Sequence, residues 1–77
     1  MLKIGFRMTT EFQGYSPEIE DSMQYMFASL NEKDRRHYAA IEAKKLGDKG
    51  VKYISKLFGI SEKTIESGLK EFEKKVF

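Results

Sequence analysis

The chain has no cysteine, no tryptophan, one proline, one histidine and no apolar run longer than a few residues. Each shortage removes a class of explanation. Without cysteine there are no disulfides and no thiolate metal sites, a composition suited to a reducing cytosol, so the expected location is cytoplasmic. Without a long apolar stretch there is neither a membrane span nor a signal-peptide core. His37 is the only histidine, no Ser/His/acid set can be assembled, and no glycine loop of the phosphate-cradling kind is present. The expectation is therefore a non-enzyme with no cofactor and no metal. His37 itself reads as a partly exposed helix residue. Glu18, Glu20 and Asp21 are better explained as helix-start charges than as metal ligands.

What remains is a chain of 77 residues, enough for a single core and too short for two. Charge of either sign is also scarce as a net quantity, +2, too little to announce a nucleic-acid partner by itself. Its distribution says more. Residues 1–30 hold two basic against four acidic residues, whereas residues 31–77 hold twelve against eight, so the C-terminal part is the mildly basic one.

In residues 1–15, Leu2, Ile4, Phe6 and Met8 alternate with Lys3, Gly5 and Arg7, the period of a half-buried strand. No partner strand follows, so this segment reads as a flexible arm, or as a strand that pairs only with another copy of the chain. Residues 16–77 then read as helical. Ser16-Pro17-Glu18 is a strong helix start, with Ile19, Met23, Met26, Phe27 and Leu30 as one apolar stripe and the methionines as core filling. Asn31 with Asp34 three residues on resembles a capping box, opening a second helix to about Leu46 with Gly47 as a left-handed stop. Its apolar set is Tyr38, Ala39, Ile41, Ala43 and Leu46, and the alanines would let a neighbouring helix approach closely. Arg35 and Arg36 read as a solvated face, with phosphate contact as the alternative.

From Gly50 onward two short helical registers meet at a glycine. Val51, Ile54, Ser55 and Phe58 form one buried face, leaving Lys52 and Lys56 outside. Gly59 supplies the positive φ of a tight turn, Ile60 plugs the corner and Ser61 caps the next helix. There Ile65, Gly68, Leu69, Phe72 and Val76 face inward, while Glu62, Lys63, Glu66, Ser67 and Lys70 face away. Ser55 is small where the two helices come closest, and Gly68 permits close packing against another helix. This is the arrangement of a helix-turn-helix, whose second helix presents its exposed N-terminal positions to the major groove. An ordinary helical hairpin without a ligand has the same spacings. The fold class expected is all-α: a small four-helix domain with a helix-turn-helix and an N-terminal arm.

The resemblance extends beyond the hairpin. Leu30-Asn31-Glu32, Arg35-Arg36, Ala39-Ala40-x-Glu42-Ala43, Leu46-Gly47 and Gly59-Ile60-Ser61-x-Lys63-Thr64-Ile65-x-x-Gly68-Leu69-Lys70-Glu71 resemble the N-terminal region of Rhodopirellula-type DDE transposases of bacterial insertion sequences, over about residues 16–73. The resemblance implies a region that binds the ends of a mobile element. In the family an RNase H-like domain with three metal-binding acids follows, and only four residues follow Glu73 here, so no catalytic role is carried over. A detached DNA-binding fragment, a truncated remnant or a small derived protein is what the resemblance implies. One departure stands out: Glu62, Glu66 and Ser67 occupy positions where the family is rich in arginine, and carboxylates face phosphates unfavourably.

The residues expected to meet double-stranded DNA are Lys63, Glu66, Ser67 and Lys70 near base edges and Lys49, Lys52 and Lys56 near phosphates, with Ser61, Glu62 and Thr64 at the start of the second helix. Thr64 has a competing role in the cap. Glu62 can act through the helix dipole, and Glu66 can pair with Lys70 or accept from cytosine N4. The competing function is a helical protein-interaction or homodimerising module without DNA binding, motivated by the arm and the apolar tail Phe72, Val76 and Phe77.

Overall fold

Four helices follow one another in the computed structural model, which describes residues 14–74: α1 (Pro17–Ala28), α2 (Glu32–Leu46), α3 (Gly50–Phe58) and α4 (Glu62–Lys74), with a single 3-10 turn, Gly47–Lys49, between α2 and α3. The strand-like alternation of Leu2, Ile4, Phe6 and Met8, in the arm expected over residues 1–15, and the tail residues Val76 and Phe77 lie outside the described range. Within it the domain is all-α, and none of its helices is long and apolar enough to cross a membrane.

Three of the four helix starts are set by a side chain on the backbone. Ser16 accepts from the Ile19 amide at 3.3 Å, with Pro17 in the first turn. Asn31 Oδ1 accepts from the Asp34 amide at 2.8 Å, and Ser61 Oγ from the Thr64 amide at 3.1 Å. Each satisfies a donor that the first helical turn would otherwise leave without a partner. α2 ends at Gly47, whose φ of +82° is positive as expected but whose ψ of −147° takes the chain into the 3-10 turn rather than the left-handed helical well.

α2 is the central helix, packing against both α3 and α4, while α1 lies across α2 and α3. Ala39, Ala40 and Ala43 on α2 are buried together with Ile54 of α3 and Ile65 of α4. Burying two isoleucines completely contributes about 1.5–3 kcal/mol each. Close approach comes from small residues. A Cβ on Gly68 would stand 2.8 Å from the Arg36 carbonyl oxygen and 2.9 Å from Ala40 Cβ, so α4 rests directly on the α2 backbone. Gly50, at the start of α3, is tighter still: its Cβ would stand 2.2 Å from the Ala43 carbonyl oxygen.

Several expectations need correction. The α1 stripe is only partly covered: Met23 is buried and Phe27 half-buried, but Ile19 and Met26 are 47% and 49% exposed. Met26 is thus not core filling: half of its surface stays exposed and it takes no part in the buried cluster. On α2, Ile41 is 45% exposed and Ala40 takes the inward position instead. Arg35 is exposed, as a solvated face requires, but its guanidinium is also partnered. Its Nε and Nη2 donate to the carbonyls of Phe27 and Ala28 at 3.1 and 3.0 Å, and its guanidinium lies 5.6 Å from the Phe27 ring centroid. It closes the C-terminal end of α1, where carbonyls lack helical partners and a cation is favoured.

α1 is held further by Gln24, whose amide donates to the Leu57 carbonyl at 3.0 Å, and by stacking of Phe27 on Phe58 at 4.3 Å between centroids. Tyr53 forms the remaining tie. Its hydroxyl donates to Glu20 Oε2 and accepts from the Tyr15 amide. Burial and the Glu20 bond push the Tyr53 phenol above its usual range, keeping the proton on the hydroxyl. Gly14 and Tyr15 both rest on the Tyr53 ring.

Candidate nucleic-acid interface

The junction of α3 and α4 is a three-residue turn built around one serine. Gly59 is left-handed at φ +69°, ψ +35°, and its amide together with that of Ile60 reaches back to the Ser55 carbonyl. The Ser55 hydroxyl donates to the Ile60 carbonyl at 2.6 Å. Ser55 therefore does more than make space between the helices: it bonds both ways across the corner. Ser61 then caps α4, and Thr64 Oγ1 lies 2.9 Å from Ser61 Oγ, placing Thr64 in the cap as the competing role had it.

α3 turns Lys52 and Lys56 to solvent, and Lys49 in the preceding turn is exposed with them. Their spacing of three and four residues puts all three on one side. On α4 the outward residues divide into rows. At about 3.6 residues per turn, Lys63, Ser67, Lys70 and Lys74 share the row opposite the buried Ile65 and Gly68. Glu62, Glu66 and Glu73 fall on one flank, Thr64 and Glu71 on the other. The groove between α3 and α4 is lined by Asp48, Lys49, Val51, Lys52, Tyr53 and Lys56 on one wall and by Glu62 and Glu66 on the other. Thr64, Ser67 and Glu71 instead border a groove shared with Arg35 and Arg36 at the start of α2.

The expected face of Glu62, Lys63, Glu66, Ser67 and Lys70 is thus two faces. Its lysines form the crest of α4, and its carboxylates look across to the α3 lysines. Glu66 forms no ion pair with Lys70 or with any α3 lysine, so the i,i+4 pairing expected for it is not made. All ten predicted interface residues remain exposed except Thr64, which is half-buried beneath the cap.

Arg36, His37 and Glu71 were not foreseen as a unit. Arg36 Nε lies 3.1 Å from Glu71 Oε2, and His37 Nε2 lies 2.6 Å from Glu71 Oε1. His37 is mostly covered, its side chain 12% exposed, and its ring sits 4.9 Å from that of Phe72. It is a packed inter-helix residue, because α4 covers it where it crosses α2. The three groups clamp the second helix of the hairpin onto α2. The hydrogen bond from His37, followed by Arg36, holds the Glu71 carboxyl below the ordinary glutamate range against the opposing effect of burial.

A depressed carboxylate pKa stabilises the fold above the unfolded value, and that stabilisation is lost as pH falls through the folded one. Thermal melts of the wild type and Glu71→Gln should accordingly differ most near neutrality and converge below the ordinary glutamate range. A gap that is constant from neutral pH down to strongly acid would mean that the ionised carboxylate is not what holds α4.

Among the described residues no group of histidine and carboxylate side chains could hold a metal ion. No protein-family model, curated protein or solved structure matches the chain.

Proposed function

We propose that this chain contains a duplex-DNA-binding helix-turn-helix module, similar in role to the end-recognition region of an insertion-sequence transposase. The observation that carries the reading is the pair of lysine rows on one hairpin: Lys49, Lys52 and Lys56 on α3, and Lys63, Lys70 and Lys74 along the crest of α4. Two exposed cationic rows flanking a groove suit a duplex, whose two phosphate strands run on either side of the base edges. The resemblance to the transposase region supports the same reading. Many of the residues that carry the resemblance hold the fold here: Arg35, Arg36, Ala39, Ala40, Ala43, Gly68 and Glu71 are packed or paired. What they preserve is the platform for α4.

The reading requires binding dominated by phosphate neutralisation. If all six lysines engage, affinity for a short duplex should fall by roughly a thousandfold between 50 and 200 mM salt, measurable by fluorescence anisotropy. Absence of binding at micromolar duplex in 50 mM salt rejects the proposal.

A second reading, a protein-interaction or homodimerising surface, is favoured by Ile19, Tyr25 and Met26 on α1, of which Tyr25 is 80% exposed. Apolar side chains left uncovered on one helix suit a partner. Sedimentation of the same sample separates the two readings: a monomer at every concentration removes self-association while leaving DNA binding intact. A dimer that binds duplex unites them, since paired helix-turn-helix units read paired half-sites.

A further inference from the structure

We infer that Glu66 is a base-reading residue, its carboxylate accepting the exocyclic amino group of a cytosine in the major groove. The inference rests on the DNA-binding reading above and assigns a specificity to it. Glu66 stands in the second turn of α4, exposed, on the flank that faces α3. Lys52 and Lys56 stand across the groove, and Lys63 and Lys70 lie three residues before and four after it on the crest of its own helix. Across the surface come first the α3 lysines, with Asp48 beside Lys49, then the carboxylates of Glu62 and Glu66, then the crest lysines of α4. A duplex docked on the two lysine rows sets its phosphates against the outer members and its base edges against the middle one.

Structural reasons for the carboxylate fall away one at a time. Glu62 is in the first turn of α4, where the positive end of the helix dipole accounts for an acid. Glu66 lies beyond that turn, where the effect has faded. It makes no ion pair, although four lysines surround the groove and crest beside it. It supports no packing, being exposed.

Base chemistry then selects the partner. An ionised carboxylate only accepts hydrogen bonds. In the major groove guanine presents two acceptors, thymine an acceptor and a methyl group, and adenine an acceptor beside its amino donor; cytosine presents its N4 amino donor. A carboxylate is repelled by the first two, meets one favourable and one unfavourable group on adenine, and is satisfied by cytosine. A residue that weakens general phosphate attraction thereby lowers binding to the wrong sequence more than to the right one.

The test is selection of bound duplexes from a randomised pool by the wild-type chain, Glu66→Ala and Glu66→Gln, with circular dichroism confirming equal helicity. The wild type should enrich cytosine at one position by roughly tenfold over thymine. Glu66→Ala should bind the pool at least as well and lose that enrichment, and Glu66→Gln should move it toward adenine, whose N6 and N7 glutamine bonds together. An Ala variant with the same preference as the wild type, or wild-type binding with no base preference, overturns the assignment and leaves the DNA-binding reading standing. Duplex retained by none of the three overturns both.

Discussion

Replacing Gly50 by alanine should destabilise the domain by about 3 kcal/mol, at the upper end of what overpacking does in a core. In a domain this small that lowers the melting temperature by roughly 15 °C. The reason is geometric. The added methyl would stand 2.2 Å from the Ala43 carbonyl oxygen and 2.9 Å from Leu46 Cβ. The first obstacle is helix backbone, which cannot rotate away as a side chain can, so α3 has to lift off α2. Alanine's better helix propensity returns only about 1 kcal/mol.

Gly68→Ala should follow the same course more mildly, because the nearest backbone atom is 2.8 Å away and the other close atom is a methyl carbon. At Gly59 there is nothing within 4 Å, and the penalty reduces to holding a left-handed residue. Thermal melts should rank the three in that order. An alanine at position 50 that leaves the melting temperature unchanged would mean that α2 and α3 are not in backbone contact.

The double substitution Glu62→Arg with Glu66→Arg should strengthen duplex binding by roughly a hundredfold at low salt and steepen the logarithmic salt dependence by about two. Both side chains are exposed and neither has an ion-pair partner, so removing them leaves no charge stranded. The new guanidiniums would line the groove opposite Lys52 and Lys56, converting its acidic wall into a cationic one. Like-charge repulsion across the groove should lower thermal stability slightly in the absence of DNA, and added salt should relieve it. Anisotropy titrations at several salt concentrations decide the matter: unchanged affinity and slope would show that the groove wall carrying Glu62 and Glu66 does not face the duplex.

The features of this fold that could be read from the chain are those set by neighbours in sequence. Ser16, Asn31, Gly59 and Ser61 act on backbone groups three or four residues away, and each does what its residue type in that setting requires. The burial of Ile54, Ile65 and Gly68 follows from helical period alone. Arg35 and Arg36 read as a solvated face, and His37 as a partly exposed helix residue, because their roles are defined by partners elsewhere. Glu71 is thirty-four and thirty-five residues away from His37 and Arg36, and no local pattern names it. Ile19, Met26 and Ile41 have the right period for a core, but period says only that residues share a side, not that another helix covers it. The interface shows the same division. Which α4 residues point outward was legible, whereas the orientation of Glu62 and Glu66 toward the α3 lysines depends on how the two helices are set by the Ser55–Gly59–Ile60 corner.

The mode of attachment of α1 has a kinetic consequence. It contributes one buried side chain, Met23, and is otherwise tied down by ring stacking, the Arg35 and Gln24 contacts with main-chain carbonyls, and the Tyr53–Glu20 bond. The other three helices share the alanine and isoleucine core. An element with so little buried apolar surface opens at lower free energy than the rest of its domain. α1 should then be the first helix to open, its amides exchanging with solvent faster than those of α2, α3 and α4. The hairpin that carries the lysine rows does not have to unfold when it does.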